Sequence, residues 1–288
     1  MWYRVALAVP QEVADGLTSF LCDEGSIGQE VGDAADDQVT LIAYFRADVA
    51  LESLRAEIAQ YLEALRELGM FSRVPKVRLV RIVGDWLASW RRYFRPIEVT
   101  RRLVVRPSWA TCSLREGQSE IVIDPQTAFG TGHHETTRIC LRAEETVIRQ
   151  GDKVLDVGTG TGILTVRAVQ LGARSVLGID NDPEAVRVGR RNLAVNGVNG
   201  DVQVTCGDVR YLEDSFNVIL ANIHSGVLTP LLPTFLRLLL EQGRAVLSGI
   251  TRDEEEGFCS RVSQAGFQIR GVWREGEWVG LEGVKEKG

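Results

Sequence analysis

The chain is poor in residues that staple or ligate. Its 288 residues include five cysteines, Cys22, Cys112, Cys140, Cys206 and Cys259, and three histidines. The cysteines are odd in number and widely scattered, and no Cys-x-x-Cys pair occurs. That argues against both a disulfide framework and a zinc ribbon. His133 and His134 are adjacent, so their side chains point different ways. With only His224 besides, they lack the spacing of a zinc site, and no metal is expected. Loop structure or substrate contact is the expected role of all three. No apolar run approaches the length of a membrane span, and Met1-Trp2-Tyr3-Arg4 lacks the apolar core of a signal peptide. A cytoplasmic protein, in a reducing compartment, is the simplest expectation. The net charge of -6 argues against a chain-wide nucleic-acid footprint.

What is present suits two globular domains. The length suffices for two cores, and 44% apolar with 25% charged residues is ordinary for a soluble protein. Charge is uneven. Up to Met70 the only basic residues are Arg4, Arg46, Arg55 and Arg66, against 13 acidic ones. From Arg73 to Arg106 the balance reverses, with Asp85 and Glu98 the only acids. An acidic first module suits a basic partner, or it is a solvated face that aids solubility.

Residues 3–9 read as a strand, 11–22 as an amphipathic helix closed by Gly25, and 27–31 and 39–45 as strands joined by a polar turn. Residues 51–68 carry apolar side chains at helical spacing and stop at Gly69; residues 77–83 form a last strand. The order βαββαβ is the ferredoxin-like arrangement, so residues 1–83 are expected to form a small α+β domain. Residues 85–94 then read as a connecting helix, with Trp86 and Trp90 on one face, before Pro96 breaks the pattern. A linker over 84–96 and a second domain over 97–288 follow. Residues 103–105 and 121–123 look like strands. Beyond them strand and helix patterns alternate, with strands at 154–157, 176–179, 202–206, 218–221 and 245–248 and helices between. This implies a parallel α/β sheet of Rossmann-like type with helices on both faces. Residues 267–273 and 278–284 add a terminal antiparallel hairpin.

The most informative stretch is VLDVGTGTG, residues 154–162: a buried strand, a glycine turn and the start of a helix. A dinucleotide fingerprint is G-x-G-x-x-G; here the third glycine, Gly162, comes one residue early. Gly158-x-Gly160-x-Gly162 after an acidic strand end resembles the first motif of S-adenosylmethionine-dependent methyltransferases. Alone it is also compatible with a strand-to-helix turn that binds nothing. The next strand ends at Asp180, roughly 20 residues on, where a carboxylate can accept from both hydroxyls of a ribose. Asp182-Pro183-Glu184 reads as a helix cap followed by Pro at the first helical position. Asp182 capping and Asp180 binding are compatible.

The string DPQTAFGTGHHETT, residues 124–137, precedes the glycine turn by one helix. Gly130 and Gly132 permit a tight loop, and Glu135, Thr136 and Thr137 fall where a helix begins, offering hydroxyls and N–H groups. This string, VLDVGTGTG, GIDNDPEAV (residues 178–186) and Ala221-Asn222-Ile223 occur in the order seen in the ribosomal protein L-eleven methyltransferases (PrmA family). The acidic βαββαβ module and the connecting helix also match, so the chain resembles that family over essentially its whole length. The resemblance implies a class I methyltransferase domain that uses S-adenosyl-L-methionine. It would methylate lysine side chains and the N-terminal amine of ribosomal protein L-eleven, with the first module presenting the substrate; a monomer is expected. It also implies that Thr137, Gly158, Gly160, Asp180 and Asn222 contact the cofactor, and that Phe129, Gly130 and Gly132 form a loop closing on it. Asp208 would meet the adenine, although a turn Asp after a strand is common.

Asn222 is followed by Ile223-His224, not by the Pro-Pro-aromatic run of methyltransferases that act on planar nitrogens. An sp³ amine acceptor is therefore favoured over adenine or a glutamine amide. Asn222 either orients that amine through its side-chain oxygen or serves only cofactor or turn contacts. Two rivals are a methyltransferase of another protein or small-molecule amine, and a non-catalytic S-adenosylmethionine-binding regulator. The complete set of Gly158, Gly160, Gly162, Asp180 and Asn222 counts against the second.

Overall fold

The structure, a computed structural model, describes residues 2–26, 28–35, 38–46, 49–82, 95–124, 130 and 132–286. It divides into two compact units, Met1–Tyr93 and Phe94–Gly288. The expected connecting helix lies outside the described residues up to residue 94, as does Phe129.

In the first unit β1 (Trp2–Pro10), α1 (Gln11–Asp23), β2 (Gly28–Ala35), β3 (Gln38–Arg46), α2 (Leu51–Glu67) and β4 (Arg78–Ile82) follow in the expected order. The strands form an antiparallel sheet in the order β2-β3-β1-β4. Period-two alternation sends Val5, Leu7, Val9, Leu41, Ala43 and Phe45 to one face. There Leu17 and Leu21 of α1 and Leu54, Ile58 and Leu62 of α2 close a core.

The second unit opens with three strands, β5 (Ile97–Thr100), β6 (Leu103–Arg106) and β7 (Ser119–Val122); β5 was not anticipated. Then come α3 (Glu135–Val147), β8 (Lys153–Val157), α4 (Ile163–Gln170), β9 (Ser175–Asp180), α5 (Pro183–Val195), β10 (Asp201–Cys206) and β11 (Phe216–Asn222). The chain ends with α6 (Ser225–Leu238), β12 (Leu239–Thr251), α7 (Glu255–Ala265), β13 (Phe267–Glu275) and β14 (Trp278–Lys285). The seven-stranded sheet runs β10-β9-β8-β11-β12-β14-β13. It is parallel through β12, and β14 lies antiparallel between β12 and β13. One expectation fails. Between β10 and β11 stands not a helix but a single 3-10 turn, Val209–Tyr211. Residues 207–215 are too few for a helix that packs back onto the sheet.

Parallel strands need both faces covered. Side chains of α3, α4 and α5 pack on one face with Val154, Val176 and Val218. Side chains of α6 and α7 pack on the other with Leu155, Ile219 and Leu247. Phe216, Phe235 and Phe258 are fully buried in that second layer; truncating one to Ala costs about 3–5 kcal/mol. Strand order reverses on either side of β8, because β9 lies on one flank and β11 on the other. A crevice opens at the carboxyl ends of strands at such a switch point.

Candidate functional site

The crevice holds two lobes, of about 470 and 430 Å³, which share Gly158, Asp180, Asn181 and Ile223 as a common wall. The first lobe adds His134, Thr136, Asn222, His224 and Trp278. The second adds Gly207, Asp208, Arg210, Val227 and Leu231.

The glycine turn forms the floor between them. Gly158, Gly160 and Gly162 have φ of +69°, +53° and +78°, a backbone that side chains rarely adopt. A Cβ on Gly158 would overlap Ile223 Cγ2, and one on Gly162 would come within 2.9 Å of Leu193 Cδ1. Gly162 sits at the start of α4 and supplies no side-chain cap. The turn hangs from β9, since the N–H groups of Gly158 and Thr159 both donate to the Ile179 carbonyl, at 2.8 and 3.2 Å.

Asp180 lines both lobes and has a structural task. Its Oδ2 accepts from the Gly160 N–H at 2.9 Å and its Oδ1 from the Asp182 N–H at 3.1 Å. A carboxylate has about four lone-pair sites, so capacity for two hydroxyl donors remains. Asp182 caps α5 as read from the sequence, accepting from Glu184 N at 2.8 Å, with Pro183 at the first helical position.

Asp156, the acidic residue of the glycine motif, does not face the crevice. It is fully buried, and Thr159 Oγ1, Thr165 Oγ1 and Thr165 N converge on its Oδ2 at 2.7, 2.8 and 3.2 Å. Burial pushes its carboxyl up to about 6 despite those three donors. Glu144 of α3, also fully buried, has neither carboxyl oxygen hydrogen-bonded among the described residues. Burial, with Asp156 nearby, raises it well above the usual carboxylate range. These carboxyls underlie the turn; they do not line the crevice.

Thr137 and Asn222 are 85 residues apart in sequence and touch. Asn222 Nδ2 donates to Thr137 Oγ1 at 3.4 Å, and Thr137 is completely buried. That contact fixes the amide and leaves Asn222 Oδ1 buried with no hydrogen-bond partner among the described residues. A buried acceptor without a donor is costly and calls for one. His134 caps α3, its Nδ1 accepting from Thr136 N at 3.3 Å, and its ring meets that of Trp278 edge-on at 5.0 Å. Burial holds its imidazole below the ordinary value. His224 caps α6 in the same way, accepting from Gly226 N at 3.2 Å.

The other expected residues divide. Gly130 and Gly132 are buried with φ of +102° and +81°, and neither lines the two lobes. The Gly130 carbonyl accepts from Thr161 Oγ1 at 2.5 Å, and a Cβ on Gly132 would come within 2.8 Å of Val105 Cγ1. Gly130 is thereby tied to the glycine turn, and Gly132 packs against β6. Asp208 lines the second lobe, but its carboxylate is taken up by Arg210, whose backbone N–H donates at 2.9 Å and whose guanidinium donates at 2.5 Å. Its carboxyl lies below the usual range for that reason. Sequence reading missed Trp278, seen only as a strand start, and Gly249. At Gly249, with φ +93°, a Cβ would overlap the Ile223 carbonyl. The serine-glycine pair at the end of β12 was the available signal for Gly249.

The site fits a nucleoside-linked cofactor: a glycine cradle without room for a Cβ at Gly158 and Gly162 and an acidic strand end at Asp180. Comparison with known proteins agrees. Residues 1–286 match the family model of the ribosomal protein L11 methyltransferases (PrmA). The ribosomal protein L11 methyltransferase of Geobacter sulfurreducens is 37% identical over 290 residues, spanning 96% of each chain. That of Pelobacter propionicus is 34% identical over 297 residues, spanning 97% of this chain and 96% of its own. The crystal structure of the ribosomal protein L11 methylase from Lactobacillus delbrueckii subsp. bulgaricus superposes with a TM-score of 0.63 at 31% identity, covering 67% of this chain and all of that one. The chain belongs to the ribosomal protein L11 methyltransferase (PrmA) family.

Proposed function

We propose that this protein transfers methyl groups from S-adenosylmethionine to lysine side-chain amines and the N-terminal amine of ribosomal protein L11. The observation that carries the reading is the Thr137–Asn222 contact beside the glycine cradle, which leaves the amide oxygen without a hydrogen-bond partner among the described residues. A neutral amine has the N–H that this oxygen lacks. S-adenosylmethionine, when bound, supplies a methyl group already activated on a sulfonium. The residues therefore bind, orient and exclude water. Gly158 and Gly160 let backbone approach the cofactor, Asp180 receives the ribose hydroxyls, and Asp208, on giving up a contact to Arg210, receives the adenine edge. Thr137 orients Asn222, and Asn222 orients the amine. Phe129, Gly130 and Gly132 belong to the loop that covers the site. Residues 1–83 present the protein substrate, and residues 84–96 let it reposition.

The acceptor must be neutral. At pH 7 deprotonation costs about 4.6 kcal/mol for a free lysine of pKa ~10.4 and about 1.1 kcal/mol for an α-amine near ~7.8. A cationic sulfonium and a dry site both lower an amine's pKa. No dedicated base is needed, and the rate rises with pH between about 7 and 9. The test offers labelled cofactor with ribosomal protein L11, ribosomal RNA or a glutamine-containing release-factor peptide. Label in the ribosomal protein is expected; label mainly in RNA or in the glutamine peptide overturns the reading.

A further inference from the structure

The acidic first unit contains a cationic groove. A concavity of about 890 Å³ is lined by Arg4, Arg73, Lys76 and Arg78, with Ala6, Ala8, Phe71, Val74 and Pro75 between them and no acidic residue among the described ones. It exists because two strands differ in length. β1 pairs with β3 from Trp2 to Pro10, but with β4 only from Trp2 to Ala6. Past Ala6, no strand among the described residues lies beside that flank of β1. Among the described residues no backbone hydrogen bond ties it to the segment 71–77. An unpaired strand flank is a template for one more extended chain.

The charges are arranged against their own interest. Ala6 stands opposite Arg78 and Arg4 opposite Val80, so Arg4 and Arg78 are diagonal neighbours on the face turned away from α1 and α2. Like charges this close repel. None of the four cations forms an ion pair or side-chain hydrogen bond among the described residues. Elsewhere arginines take carboxylate partners, as Arg66 does with Glu63 and Arg106 with Glu120. Four unpaired cations around an apolar floor, beside an open strand flank, are complementary to an extended segment carrying carboxylates at alternate positions. Nucleic acid suits the groove less well, because the 13 acidic residues before Met70 repel a continuous polyanion while leaving a short acidic segment of a basic protein unopposed.

We infer that this groove seats an extended acidic segment of the protein substrate against β1, setting the register in which the first unit holds that protein. The inference rests on the proposed protein substrate for its biological occupant; the groove's chemistry can be tested alone. Full-length protein is titrated, by fluorescence anisotropy, with a labelled ten-residue peptide of alternating glutamate and valine. Its glutamine-for-glutamate counterpart and a ten-nucleotide single-stranded RNA serve as comparators. The glutamate peptide is expected to bind at least tenfold tighter than either, and to weaken with added salt. The double variant Arg73→Glu/Lys76→Glu, at two exposed positions, is expected to lose that binding at least tenfold with S-adenosylmethionine affinity unchanged. With ribosomal protein L11 it should raise KM and leave kcat alone. Equal binding of the two peptides, tighter binding of the RNA, or an unchanged KM in the double variant overturns the inference. Failure of methyl transfer in the unmodified protein would instead count against the proposed function, and the peptide titration would still read the groove.

Discussion

Asp180 at the end of β9 holds the Gly160 N–H at 2.9 Å, so the second strand of the crevice clamps the glycine turn that follows the first. The carboxylate proposed to receive the ribose also shapes the turn on which the cofactor would lie. Asp180→Ala removes both. Hydrogen bonds to a charged group are worth about 1.5–3 kcal/mol each, so S-adenosylmethionine affinity should fall at least tenfold in calorimetric titration. An unchanged dissociation constant would remove Asp180 from the site.

Thr137→Val keeps the shape of a buried residue and deletes the hydroxyl that Asn222 Nδ2 meets. The amide can then rotate. Misplacement of a positioning group costs on the order of tenfold to a hundredfold in rate. The expected result is a lower kcat with cofactor affinity within a few-fold of the original, and recovery in Thr137→Ser. Equal kcat in the valine variant would show that Asn222 needs no such support.

Glu275 joins the terminal hairpin to α3. It accepts from Arg138 Nε at 2.7 Å and from Arg142 Nη1 at 2.6 Å, while Arg138 also donates to the His133 carbonyl. Trp278 and His134, which wall the first lobe of the crevice, flank this network. Glu275→Ala should lower kcat/KM for the protein substrate about tenfold and leave S-adenosylmethionine affinity within twofold. A Glu275→Ala enzyme with wild-type kcat/KM would assign the network to stability alone, which thermal melting would register.

The buried carboxyls give a stability signature. A carboxyl whose folded pKa is raised stabilises fully below its unfolded pKa, and that contribution is lost as pH rises through the folded value. For Asp156, raised by burial from 3.8 to about 6, the loss is about 3 kcal/mol. Glu144 shifts in the same direction for the same first cause. Glutamine cannot ionise, so Glu144→Gln should gain on the wild type in urea unfolding as pH rises from 5 to 8, by up to about 1.4 kcal/mol per pH unit. A difference independent of pH would mean that Glu144 is charged throughout.

Local chemistry in the sequence determined much of this protein. Alternation and helical spacing gave the βαββαβ unit and the parallel sheet, because each element's apolar face is written in its own residues. Capping chemistry set the start of α5 at Asp182-Pro183, and closely spaced glycines marked a turn that only positive φ can make. Tertiary structure alone decided which polar groups meet. It brought Asn222 to Thr137, turned Asp156 away from the crevice, gave Asp208 to Arg210, and set Trp278 against His134. It also opened a cationic groove in an acidic unit, because β4 stops short of β1. Net charge counts residues without regard to position, and periodicity reports only neighbours along the chain. Contacts across strands depend on register and on where each strand ends, which pairing sets.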